Sequence, residues 1–207
     1  MRIVETDADL AEGAAHLASV CPIWASALPG LPLPLRRRPD GFGAILDAII
    51  GQQISTASAG ATMARLDAAG LTEAAAIRAA GPEALRGCGV SRPKIRYLMG
   101  IAENEPDWQA LRRAPDEEVL ATLTALPGIG LWTAEIYLAF ALGRRDAFPA
   151  GDLALQEAAR MLYGLNKRPD PKALRELAEP WRPWRSVAAR GLWSHYLLEK
   201  GREGVRS

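Results

Sequence analysis

The sequence predicts an all-α protein, and three observations carry that expectation. Ala, Leu, Arg and Glu are common in a chain of 207 residues that is 49% hydrophobic, a mixture that favours helices. Val and Thr are scarce, and few stretches alternate with a period of two, so half-buried strands are not expected. Apolar residues return at helical spacing. Phe42, Ile45, Leu46, Ile49 and Ile50 fall at i, i+3, i+4, i+7 and i+8, on one face of a helix. The length suits one large domain or two small lobes sharing a cleft.

Taken in order, Thr6-Asp7-Ala8-Asp9 forms a capping box for a first helix to about Ser19. Cys21 to Asp40 carries Pro22, Pro29, Pro32, Pro34 and Pro39 and reads as a connector with little regular structure. The helix beginning near Phe42 follows. Gln53 extends its apolar stripe, while Gln52 and Ser55 leave it. Further helices are expected over Ala57–Ala69, Thr72–Ala79, Pro82–Arg86 and Arg92–Glu103. The last has Pro93 in its first turn and turns Ile95, Leu98, Met99 and Ala102 inward. A short helix over Asp116–Ala125 precedes one over Leu131–Leu142, whose buried face is Leu131, Ala134, Leu138, Ala139 and Leu142. Gly143 ends it with a left-handed cap. After a loop from Arg144 to Gly151 come helices over Asp152–Tyr163, Pro171–Ala178 and Trp184–Leu198, then a polar tail beyond Lys200 that frays. The count is about ten helices and no sheet.

The formal net charge is +1, which excludes a strongly basic nucleic-acid binder. Binding of a polyanion must then come from local geometry. Arg36-Arg37-Arg38 is either a phosphate contact or, from the run alone, a solvated loop. Cys21 and Cys88 stand far apart in no CxxC pattern and read as free thiols rather than a metal cage. His16 and His195 have no metal partner at useful spacing and read as structural. No signal peptide or membrane-length apolar run is seen, so no membrane partner is expected, and the cytoplasm of a prokaryote, at its nucleoid, or a nucleus is the expected location.

The most informative stretch is Leu126-Pro127-Gly128-Ile129-Gly130, between two helices. Two glycines around one apolar residue permit a tight turn with positive φ and leave backbone N–H groups uncovered where the next helix starts. Such a terminus binds an anion without any charged side chain. An ordinary αα-corner also uses Pro and Gly, and the pentapeptide alone leaves the two readings open.

Its context does not. With Trp132-Thr133-Ala134 and then Phe148-Pro149-Ala150-Gly151-Asp152, the stretch resembles the signature of the helix-hairpin-helix DNA glycosylase superfamily. Ile50-Gly51-Gln52-Gln53-Ile54-Ser55 and Trp181-Arg182-Pro183-Trp184-Arg185-Ser186, leading to Trp193, are similar to its 3-methyladenine glycosylase II branch. The resemblance covers residues 40 to 198 and implies a compact form without the N-terminal β domain of longer members. It implies two helical lobes around a cleft within a single domain, 1–207. The hairpin spans 116–142, one lobe about 40–115, and the other 1–39 with 143–198. The four-cysteine iron–sulfur motif of a sister branch is absent. The lysine of lyase-competent members is replaced by Trp132, so no Schiff-base step is expected.

The resemblance implies excision of alkylated purines (3-methyladenine, 7-methylguanine) from duplex DNA by base flipping. Asp152 would be the catalytic carboxylate, stabilising an oxocarbenium-like state and orienting water. It opens a helix, where the dipole favours a negative group; a plain N-cap role is compatible. Trp132 and Trp193 would supply aromatic faces for a cationic purine, with Ile136 and Leu153 at two further pocket positions. Trp181 and Trp184 are core. Gln53, and less so Gln52, would fill the gap left by the flipped base. Gly128, Gly130 and Thr133 would meet a phosphate. The carbonyls of Thr124, Leu126 and Ile129 would hold a structural monovalent cation, with no other cofactor required. Arg92 and Lys94 either touch a second phosphate or open a solvated helix. The chain would act as a monomer. Rival readings are a glycosylase for deaminated or oxidised bases, a non-catalytic DNA-binding module, and a helical scaffold for protein partners.

Overall fold

The computed structural model describes residues 2–201. Among these it contains twelve α-helices, three shorter helical segments and no strand; Ile3 and Arg144 form one isolated β-bridge. The all-α expectation holds. No helix of the described residues is long and apolar enough to cross a membrane. The tail expected to fray beyond Lys200 lies, after Gly201, outside the described residues.

The chain divides into two compact units, Arg38–Tyr137 and Met1–Arg37 with Leu138–Ser207. The continuous unit holds α3 (Phe42–Gly51), α4 (Thr56–Ala68), α5 (Ala74–Gly87), α6 (Arg92–Glu103), α7 (Trp108–Arg113), α8 (Asp116–Thr124) and α9 (Leu131–Ile136). The apolar stripe of α3 is buried as its spacing requires: Phe42, Ile45, Leu46, Ile49 and Ile50 are at most 3% exposed. Helix α3 packs on α4 and α6, and α5 on α6. Ile95, Leu98, Ile101 and Ala102 form the inner face of α6, whereas Met99 is only half-buried. Helix α5 joins the two pieces expected over 72–86 across a kink at Gly81, whose φ is +75°.

The discontinuous unit holds α1 (Asp7–Val20), α2 (Pro22–Ala27), α10 (Leu153–Leu162), α11 (Pro171–Leu177) and α12 (Arg185–Lys200). Thr6 and Asp9 close the capping box of α1. Helix α12 is the unit's axis: every residue from Ser186 to Ser194 is buried, as befits a helix packed on all sides. Helices α1 and α10 lie against it. Trp24 and Trp181, 0% and 1% exposed, meet edge to face at 5.5 Å, and Phe148 approaches Trp181 the same way at 5.7 Å. Trp181 and Trp184 are core residues, as expected.

Four expectations are corrected. The proline-rich connector contains α2, because Pro22 sits in its first turn, where a missing N–H costs nothing. Helix α7 was not foreseen, although Asp107 caps it by accepting from the Ala110 amide at 2.9 Å. The helix expected over Leu131–Leu142 changes at Tyr137 to a π turn that runs to Ala141, and Gly143 follows at φ +69°. Leu131 is 48% exposed rather than buried. Side chains tilt toward a helix's N-terminus, so at the first residue they reach past its packed face.

Two glycines predict opposite effects of one methyl group. A Cβ on Gly13 of α1 would lie 2.6 Å from Val187 Cγ2 and 2.9 Å from Trp184 Cε3. Gly13→Ala should therefore lose about 1–3 kcal/mol to overpacking despite the better helix propensity of alanine. Gly43 in α3 is exposed, and its added Cβ would meet nothing within 4 Å; Gly43→Ala should gain about 0.5–1 kcal/mol. Urea unfolding midpoints read both signs.

Candidate functional site

In the continuous unit, α8 and α9 pack together and are joined by the turn carrying Pro127-Gly128-Ile129-Gly130. Gly128 has φ +80°, and a Cβ there would fall 2.4 Å from Tyr97 Cδ2, so glycine is required twice over. Ile129 is 5% exposed and anchors the turn; its amide donates to the Leu126 carbonyl at 3.2 Å. Gly130 is the N-cap of α9, with φ −91° and no side chain to cap it. The first intrahelical bond here runs from the Ala134 amide to the Gly130 carbonyl at 3.1 Å. The amides ahead of it point out of the helix end, as at any helix start. Thr133 is 6% exposed, which leaves its side chain little surface for the contact expected of it. The Thr124 hydroxyl turns back on the carbonyls of Leu120 and Ala121 at 2.7 and 3.3 Å.

The glutamine pair does not continue the apolar stripe, which corrects the reading of Gln53. Helix α3 stops at Gly51, Gln52 is its extended C-cap, and Gln53 takes the left-handed conformation at φ +57°. That reversal places Gln53 on the surface. Gln52 instead turns inward, its Nε2 donating to the Gly128 carbonyl at 3.0 Å. The glutamine turn and the hairpin are thus joined by a hydrogen bond. A recess of about 190 Å³ beside this turn is lined by Ile50, Gln52, Gln53, Ile54 and Lys94 among others. Trp132 is 41% exposed and Ile136 half-buried; both lie in this unit.

In the discontinuous unit, Asp152 caps α10. One carboxylate oxygen, Oδ1, accepts from the amides of Ala154 and Leu155 at 2.8 and 3.0 Å, and the residue is 9% exposed. The loop before it is closed by three contacts. The Asp152 amide donates to the Pro149 carbonyl at 2.9 Å. Gln156 Nε2 donates to the Ala150 carbonyl at 2.9 Å. Asp146 pairs with Arg182 at 2.7 Å and with Arg185 at 2.8 Å. The sequence reading missed this last pairing. Its partners are 36 and 39 residues apart and leave no periodic signal, although both arginines stand in a stretch singled out above.

One of the neighbouring side chains departs from expectation. Leu153 is 62% exposed, whereas Trp193 is 3% exposed. The Trp193 ring lies tilted on Phe140 at 5.5 Å and 36°, and its buried Nε1 finds no acceptor. An aromatic face for a purine was expected of it; the packing of α12 draws it into the core.

Comparison with known proteins bears on the family and the fold. Residues 46–183 match the model of the HhH-GPD superfamily base excision DNA repair proteins. The chain is similar to the crystal structure of DNA-3-methyladenine glycosidase from Bacillus halodurans: TM-score 0.81, 30% identity, 98% of this chain and 95% of the other. It is also similar to the 3-methyladenine DNA glycosylase Mag1 of Schizosaccharomyces pombe in complex with abasic DNA, with TM-score 0.73, 28% identity and coverage of 91% and 97%. The alkylbase DNA glycosidase-like protein mag2 of that yeast is 28% identical over 200 residues, 90% of this chain and 94% of its own. The chain therefore belongs to the HhH-GPD superfamily of base excision DNA repair proteins.

Proposed function

We propose that the chain is a monofunctional DNA glycosylase that flips an alkylated purine out of duplex DNA and hydrolyses its N-glycosidic bond. The observation that carries this is Asp152, held by two amides at the start of α10 and preceded, at the family's spacing, by a glycine hairpin whose helix start is uncapped.

The hairpin supplies the phosphate contact through main-chain N–H groups at the start of α9, with Gly130 permitting close approach. Gln53, exposed on its left-handed turn, enters the space the base vacates. The exposed indole of Trp132 offers a π face to a cationic purine. With Trp193 buried, stacking rests on Trp132, with Ile136 as aliphatic surface in the same unit, and Leu153 exposes its own beside Asp152. As the base departs, the deoxyribose gains positive charge, which the Asp152 carboxylate stabilises, and the same group orients the water that attacks C1′. Its bonds to Ala154 and Leu155 fix its direction before substrate arrives. Trp132 occupies the position from which a lysine would form a Schiff base, so the reaction ends at the abasic site.

The carbonyls of Thr124, Leu126 and Ile129 would hold a monovalent cation, which would add positive charge beside the bound phosphate. The Thr124 and Leu126 carbonyls lie at the end of α8, where partial negative charge gathers, and the Thr124 hydroxyl is turned away to Leu120 and Ala121. In a prokaryote the protein would act as a monomer on nucleoid DNA in the cytoplasm.

Incubation with methylated duplex DNA should release free alkylated purines. Asp152→Asn keeps the N-cap, since asparagine caps as well as aspartate. It should lower release by about 10²–10⁴-fold while the melting temperature and DNA affinity hold. An Asn variant at the parental rate would falsify the catalytic assignment. DNA that is bound without base release by the parent protein would favour the binding-module reading. The hairpin gives a second test. A Cβ on Gly130 would meet nothing within 4 Å, so Gly130→Val should leave the fold stable yet weaken DNA binding about tenfold or more by covering the amides. Gly128→Ala should instead lose about 1–3 kcal/mol of stability, from its positive φ and the Tyr97 ring. Unchanged DNA affinity in Gly130→Val would remove the hairpin from the interface.

A further inference from the structure

We propose that Lys94 is a positioning residue for base flipping: its ammonium holds the turn that presents Gln53. This rests on the glycosylase reading above.

Lys94 stands in the first turn of α6, a helix whose first turn contains Arg92 and Lys94 and no acid. A cation there faces the positive end of its own helix, which is unfavourable. Its Nζ resolves the conflict by reaching the negative end of a different helix. It donates to the carbonyls of Ile50 and Gln52, each at 2.8 Å, where α3 ends. The ammonium is therefore neither a solvated helix start nor directed away from the protein. Burial pulls its pKa below the usual lysine range, a cost the two carbonyls offset.

What Lys94 holds is a conformation that α3 would not keep unaided. Helix ends usually reverse on glycine, because a left-handed residue with a Cβ is strained. Here the reversal falls on Gln53, at φ +57°. Gln52, just before it, is fixed from two directions: its carbonyl by Lys94 and its side-chain amide by the Gly128 carbonyl. With Gln52 immobile, the left-handed step at Gln53 directs that side chain outward. A wedge must enter the base stack while the base is still leaving, so looseness at its root reduces the rate of flipping.

Lys94→Met keeps the stem and removes the ammonium. Single-turnover excision is measured on one lesion in two settings: a fully paired duplex, and a mismatch bubble where stacking is already broken. The variant should lose at least about tenfold more rate on the duplex than on the bubble. Lys94→Arg, which retains donors, should recover most of that difference. A merely structural lysine would lower both rates equally. Equal losses, or no loss, overturn the proposal while leaving the enzyme reading intact. A parent protein inactive on both substrates overturns the enzyme reading, and this proposal with it. Should Lys94→Met fail to give the parental helical unfolding transition, Lys94→Gln carries the same comparison.

Discussion

The start of α10 is the constraint on which the proposed chemistry depends. An aspartate that merely faced solvent would sample many rotamers. Asp152 is held because two amides of its own helix need an acceptor, and Oδ1 supplies it. That arrangement requires the preceding loop to arrive in one conformation. Asp146, paired with Arg182 and Arg185, fixes the loop's beginning, and Gln156, bonded to the Ala150 carbonyl, fixes its end. Arg185 opens α12, the helix buried throughout its middle. The carboxylate thus inherits its direction from the most densely packed element of its unit.

Charge is arranged to the same end. With a net charge of only +1, the protein has little long-range attraction for DNA, and several arginines are already committed. Arg2 pairs with Glu12, Arg38 with Asp47, Arg112 with Asp40 and Arg160 with Glu157. In the proposed function recognition of phosphate falls to main-chain donors, and the two glycines of the hairpin differ in what surrounds them. Gly128 is fixed by conformation and by the Tyr97 ring; Gly130 has space around it. No neighbouring atom of the protein requires Gly130 to be small, which suits the proposed phosphate contact.

The elements legible in the sequence are those whose signal is local. The α3 stripe, the capping box of Thr6 and Asp9, the bounds of α6 and the left-handed Gly143 all follow from spacing or from one residue's backbone preference. Helix α2 was hidden by prolines that suit a first turn as well as a loop, and α7 by its six-residue length, too short for a periodic stripe. The site was less legible than the fold. Asp152 and the glycines stand out as candidates by type and spacing. Whether a tryptophan lines an opening or a core depends on tertiary packing, and Trp132 and Trp193 fall on opposite sides of that choice. Gln53 was misplaced because a stripe was extended past a helix end, where one left-handed residue reverses the face.

Arg190 shows how a buried charge can be retained for its shape. It is 1% exposed. Burial, with repulsion from Arg37 and Arg36, pulls its pKa down to about 10, which still leaves it protonated at neutral pH. Its guanidinium donates to the carbonyls of Ser186, Leu35 and Ala139 at 2.8, 3.2 and 3.3 Å and lies 4.6 Å above the Phe140 ring, on which Trp193 leans. Leu35 and Ala139 each stand within two residues of a point where the chain passes from one unit to the other. One side chain therefore ties both passing segments to α12. A lysine would not serve, because its donors radiate from a single atom. A planar fork reaches carbonyls on three separate stretches of chain while its face remains stacked on an aromatic ring.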